Sequence, residues 1–258
     1  MKGKIIALIL FFVLVISCSK EDDEGGMTVD GNPVANNQKT LGASSHDLLA
    51  DDTFKSMVIE VAYVQGYEPS VAAINNFVAF LSERVNKPLG INVVKKPIAS
   101  QGKATFTNQE IVAIEDANRT EYNSSNQIAV WTFFVDGASS SNTSTSYILG
   151  TAYRNTSFVI FEKTIQGLSS SPFQPSRSLL ETTVIEHEFG HLFGLVNLGA
   201  KMQTNHEDTA HSKHCNVQSC LMYWDSESGS SIGNMVSGGT VPKLDAQCIA
   251  DLRANGGK

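Results

Sequence analysis

The sequence predicts an α/β domain, of α+β character, in which helices pack on a mixed, mostly parallel, twisted sheet that ends in one antiparallel edge strand. Three observations carry this expectation. Strand-like and helix-like runs alternate twice between Met57 and Val135, the pattern of parallel strands joined by helical crossovers. The next two strand-like runs are linked only by Arg154-Asn155-Thr156, too short for a parallel crossover, so one of them must run antiparallel at the sheet edge. A helical pattern then runs up to Gly194, and a last one near the C-terminus carries Leu244, Cys248, Ile249 and Leu252.

The chain opens with Lys2 and Lys4, an apolar run from Ile5 to Ile16, and Ser17-Cys18. That run is too short for a bilayer about 30 Å thick, and the order of charge, apolar run and small residue is that of a signal peptide. Val15-Ile16-Ser17-Cys18 resembles a bacterial lipobox, which implies residues 1–17 as a lipoprotein signal and Cys18 as a lipidated first residue. The acidic run Glu21-Asp22-Asp23-Glu24 resembles the surface-export signal of Bacteroidota lipoproteins. Residues 18–45, rich in Gly, Asn, Asp and Ser, read as a flexible tether, and residues 46–258 as one domain with a sizeable core. The expected location is the cell envelope, with the outer membrane held through Cys18 and the orientation, outward or periplasmic, left open. A net charge of −7 without a basic cluster excludes nucleic acid as a partner, and a monomer is expected.

Met57–Val64 is β-rich, and Pro69-Ser70 opens a helix with Ile74, Phe77, Val78, Leu81 and Val85 at helical spacing. Ile91–Lys95 is a second strand. Thr107 and Glu110 form a capping box for a helix through about Tyr122, and Ile128–Val135 is apolar enough for a central strand. The Ser/Thr/Asn-rich stretch Ala138–Ser146 reads as a loop, with Tyr147–Tyr153 and Ser157–Lys163 as the antiparallel pair. Ser178 and Glu181 form a second capping box, which places Leu180, Val184, His187 and His191 on one helical face. Gly194 supplies the left-handed residue that ends this helix.

That helix contains His187-Glu188-Phe189-Gly190-His191, an HExxH pattern. Histidines four apart on a helix can both face one zinc ion, leaving room for one more protein ligand and a water, while Glu188 sits within reach of that water. Five of the six histidines lie between His187 and His214, so His206, His211 and His214 are all candidates for the third ligand, as is Asp208. An exposed edge strand beside such a site can take up an extended peptide as one more strand. Glu207, Asp208 and His211 are read as solvated loop charges, with a second cation such as calcium as the alternative.

The segment His214-Cys215-(four residues)-Cys220-Leu221-Met222, together with His187, Glu188, His191 and Gly194, resembles the archaemetzincin-type metzincins, whose motif runs HExxHxxGxxHC-x4-C-x-M. Gly150-Thr151-Ala152 is similar to that family's edge strand, and the chain also resembles metalloprotease lipoproteins of flavobacteria. The departure is an insertion between Leu195 and His214, with Asn197, a poor zinc ligand, where the family has its third histidine. The resemblance implies a metzincin-like fold, His214 as third ligand, Met222 as the Met-turn methionine beneath the metal, and zinc-dependent peptidase activity with Glu188 as base. Tyr223 is a candidate oxyanion stabiliser, with simple packing as the alternative. Archaemetzincins hold a second zinc with four cysteines ending in CxxC, where this chain has Asp245-Ala246-Gln247-Cys248. A Cys215–Cys220 disulfide is therefore expected, and a zinc on the three thiolates plus Asp245 is the alternative.

The expected function is hydrolysis of peptide bonds by a zinc metalloendopeptidase with one catalytic Zn2+. Two other readings stay open: a surface binding lipoprotein whose metal site is structural or degenerate, and a zinc amidase acting on a non-protein amide.

Overall fold

The computed structural model describes residues 32–229, 231–236 and 238–258. The signal segment, Cys18 and the acidic run that follows it lie outside the described residues. In chain order the elements are α1 (Pro33–Asn36), α2 (Ser45–Leu49), β1 (Ser56–Val64), α3 (Val71–Arg84), β2 (Ile91–Ile98), β3 (Thr105–Phe106), α4 (Asn108–Asn118), β4 (Gln127–Phe134), β5 (Ala138–Ser139), β6 (Gly150–Arg154), β7 (Ser157–Ile160), α5 (Glu162–Leu168), α6 (Arg177–Leu192), a 3-10 turn at Trp224–Glu227, α7 (Ile232–Met235) and α8 (Ala246–Ala254).

Five strands form one sheet in the order β2-β1-β4-β7-β6, parallel except for β6, which pairs antiparallel with β7 at the edge. The three-residue link at Arg154–Thr156 forces that reversal, and the register shifts between Ala152 and Arg154 as a bulge. β4 is the middle strand and is buried along almost its whole length, as its uninterrupted apolar run requires. Alternate side chains point to opposite faces. Val130 joins Phe77, Leu81, Val184 and Phe189 beneath α3 and α6, while Trp131 and Phe133 pack with Phe106, Ile111 and Ile114 of β3 and α4. Helix α6 runs through the larger core with every residue from Leu180 to Leu192 buried, and edge-to-face contact of Phe77 with Phe189 at 5.2 Å ties it to α3. Among the described residues no helix is long and apolar enough to cross a membrane.

Several local expectations are corrected. The packed domain starts well before residue 46. Asn37 is fully buried and its amide donates to Asn123 Oδ1 (2.9 Å), Ala129 O (2.9 Å) and Thr156 Oγ1 (3.0 Å). The polar composition that read as a tether through Ser45 instead satisfies buried polar groups beside β4 and β7. Helix α6 is capped by Ser176, whose hydroxyl accepts from Leu179 N–H at 3.3 Å, and not by Ser178. Glu181 does not close a capping box, because its carboxylate accepts the Ser70 N–H at 3.1 Å and pairs with Arg177 at 2.9 Å. Helix α4 has the Thr107–Glu110 box but stops at Asn118, where Arg119 turns into a buried pair with Glu115 at 2.7 Å. Ala138–Ser139, expected in a loop, pairs in parallel with Thr105–Phe106. The edge strand begins at Gly150 and not Tyr147, since Ile148 bridges to Ser228 instead.

Candidate metal centre

The α6 spacing places His187 and His191 side by side, with ring centroids 4.8 Å apart. His214, from the loop after the insertion, stacks against His187 at 5.3 Å and lies edge-on to His191 at 5.1 Å. Gly194, at φ +76°, ends the helix, and Val196 and Asn197 continue in left-handed backbone, so the chain turns back over the site. His187 Nδ1 faces Leu221 O at 2.8 Å and His214 Nδ1 faces Ser212 O at 3.1 Å, which leaves both Nε2 atoms free to point inward. Those two Nε2 atoms have no hydrogen-bond partner, although both are shielded from water. A fourth group joins them: one ligand atom each from His187, His191, His214 and Glu227 lies within 4.8 Å of the others.

The electrostatics suit a metal. Burial pulls the His187 imidazole down to about 4, against the pull of the Glu227 charge, and burial with the neighbouring His187 ring holds His191 well below the ordinary imidazole range. Both rings are therefore neutral lone-pair donors at neutral pH. Glu188 shows the opposite effect of the same cause: burial, and then the Glu227 charge, raise its carboxyl well above the usual range, with the Ala152 N–H of the edge strand opposing. Neither Glu188 oxygen has a well-formed hydrogen bond. Unsatisfied nitrogens and carboxylate oxygens around one point are what a zinc-sized cation would satisfy, so the residues fit the metal that the motif implies.

Two glycines shape the site. A Cβ on Gly150 of β6 would meet Glu188 Cγ and Oε1 at 2.6 Å, so the edge strand passes directly over the Glu188 side chain. A Cβ on Gly190 would lie 2.2 Å from Met222 Sδ, which packs fully buried under the HExxH turn. Tyr223 packs against Trp224, centroids 5.9 Å apart. Of the other contenders for third ligand, His211 stacks on Trp224 at 4.3 Å and binds Asp208 at 2.8 Å; Glu207, the remaining loop charge, accepts the Lys213 N–H at 2.8 Å. These three loop groups pair locally and do not gather around one cation, among the described residues.

His206 belongs to a second cluster. Its Nδ1 lies 3.4 Å from Cys215 Sγ and 4.0 Å from Cys248 Sγ, while its Nε2 is held by the buried Asp251 carboxylate at 2.8 Å. Cys220 Sγ is 3.6 Å from Cys248 Sγ and accepts the N–H groups of Met222 and Asp245, each at 3.4 Å. The expected Cys215–Cys220 disulfide is absent: Cys215, Cys220 and Cys248 are all free and buried. The physical reason is that Cys215 and Cys248 converge with His206 and Asp245, one ligand atom of each within 4.8 Å of the others, while Cys220 packs against Cys248. Asp245, the fourth ligand expected alternatively, uses Oδ1 to cap α8 through the Cys248 N–H at 2.8 Å, while Oδ2 is 3.5 Å from Cys215 Sγ. The sequence reading missed His206 as the partner of the thiols. The signal was there: three cysteines of a four-ligand site remain, and the insertion carries an unassigned histidine. Nothing local marked Glu227.

The comparisons agree with this architecture. The structure matches that of archaemetzincin from Methanopyrus kandleri with a TM-score of 0.51, at 17% identity, over 78% of this chain and 96% of that one. This establishes an archaemetzincin-like fold. No protein-family model and no curated protein matches the chain.

Proposed function

We propose that this chain is a zinc-dependent peptidase, tethered to the cell envelope by a lipid on Cys18. One observation supports it above the others: Glu188 keeps a buried, unpartnered carboxylate between a three-histidine cluster and a strand at the open edge of the sheet. His187, His191 and His214 would hold the zinc, which when bound polarises a carbonyl and acidifies water. An extended peptide adds to β6 through backbone hydrogen bonds, and Gly150 lets it lie close to Glu188. Glu188 takes the proton from the attacking water and passes it to the leaving amine. Met222, packed against Gly190, fixes the floor of the site, and Tyr223 packs beside it on Trp224. Cys215, Cys248, His206 and Asp245, whose ligand atoms gather within 4.8 Å of one another, would hold a second, structural zinc.

The test is metal analysis and peptide-library cleavage by the chain starting after Cys18, beside its Glu188→Ala variant. Both should carry zinc, and turnover in the variant should fall by about two to four orders of magnitude. Full activity in Glu188→Ala would falsify the assignment. One observation favours a second reading, a binding protein with a closed metal centre: the Glu227 carboxylate stands with the three imidazoles. Zinc without cleavage of any library peptide would support it.

A further inference from the structure

The residue that makes the closed reading conceivable also has a role within the peptidase reading, on which this inference rests. Glu227 Oε1 lies 3.3 Å from His214 Nε2, and Oε2 lies 3.7 Å from His187 Nε2 and 4.0 Å from His191 Nε2. With metal–ligand bonds of about 2.0–2.1 Å, the corners of a tetrahedron are about 3.3–3.4 Å apart. The carboxylate thus stands near the fourth corner above three imidazoles.

His187 Nδ1 faces the Leu221 carbonyl and His214 Nδ1 faces the Ser212 carbonyl, so both rings turn their Nε2 atoms towards the Glu227 carboxylate. A cation shared among them would satisfy the ring nitrogens and the carboxylate together. The backbone holds Glu227 firmly in place. Its carbonyl accepts the Leu149 N–H at 3.0 Å, Gly229 N–H donates to Tyr147 O at 2.7 Å, and Trp224 of the same turn stacks on His211 of the insertion at 4.3 Å. The partners at 147–149 lead directly into β6, along which a peptide would lie.

We propose that Glu227 is a displaceable fourth protein ligand of the metal, closing the site at rest and yielding its corner when a peptide seats along β6. This accounts for two carboxylates at one centre: Glu227 closes it, and Glu188, which a permanently closed site has no use for, serves the open form.

The experiment uses the chain starting after Cys18 loaded with Co2+, compared with Glu227→Ala and with Glu227→Gln, which keeps the side chain's volume. The unaltered protein should show the intense visible bands of a four-coordinate ion and resist acetohydroxamate. In both variants the bands should weaken as solvent enters, acetohydroxamate should shift them at about tenfold lower concentration, and zinc should pass to a chelator about tenfold faster. Identical cobalt spectra and chelator rates in all three proteins would overturn the proposal, whatever their peptidase activity. If the metal readouts move as expected while no protein cleaves any peptide, Glu227 remains the ligand and the peptidase reading alone falls.

Discussion

Two glycines decide how closely β6 and Met222 can approach the HExxH turn. Gly190→Ala would drive a methyl into Met222 Sδ, and overpacking of this kind costs about 1–3 kcal/mol. Thermal unfolding should show that loss, with weaker metal retention because the histidines on either side shift with the helix. Gly150→Ala acts elsewhere. Its methyl would displace the Glu188 side chain from β6, so kcat should drop by about tenfold or more while metal content stays unchanged. A variant that loses metal and activity together at position 150 would contradict this separation. At the same scale, the sequence disclosed His187, Glu188 and His191 because a helical repeat puts them together through spacing alone. Glu227 gave no sign, since it reaches the cluster through a turn fixed by distant pairing with residues 147–149.

Among the elements, α6 gives the sharpest contrast between what is local and what is not. Ser176→Ala should cost about 1 kcal/mol and Ser178→Ala much less, since only the first hydroxyl caps the helix; chemical denaturation of both variants checks it. The sequence suggested Ser178 because Glu181 stands three residues on, but Glu181 is taken by the N-terminus of α3 and by Arg177. Where both partners of a cap are local, as at Thr107 and Glu110, the reading held. The alternating strands and the antiparallel edge were legible for a similar reason: link length constrains direction. The same region carries a pH dependence. Burial first and the charge of Glu181 next raise the Glu162 carboxyl to about 8, against Arg177. Its folded value lies above its unfolded one, near 4.5, so the folded state binds more protons between the two and stability falls as pH rises from about 4.5 to about 8. Glu162→Gln should flatten that decline, which is on the order of a few kcal/mol, in melting curves taken from pH 5 to pH 8.5.

For the molecule as a whole, the N-terminal boundary matters most. A chain starting at residue 46 would leave the buried Asn123 N–H without its Asn37 Oδ1 acceptor and the buried Asn155 amide without the Asn36 carbonyl and the Ser44 hydroxyl. Each unsatisfied buried group costs about 1–3 kcal/mol, so that chain should unfold at markedly lower denaturant than one starting at residue 32. Composition could not reveal this, because a segment that contributes hydrogen bonds and no large apolar side chains looks like linker. Metal removal acts at the same scale. His206→Ala should strip the thiol cluster of an ion and lower the melting temperature, with a smaller effect in Asp251→Asn, which leaves the imidazole in place.

His214 and Cys215 are adjacent in the chain, yet one faces the three-histidine centre and the other the thiol cluster. Loading would consequently be ordered. On the proposed reading, an ion gripped by sulfur would fix the loop that carries the last imidazole, so the thiol centre would fill before the three-histidine one is assembled. In an organism short of zinc, such a protein would persist as a folded, half-loaded reserve, and the first ion lost to a competitor would be the one among the imidazoles.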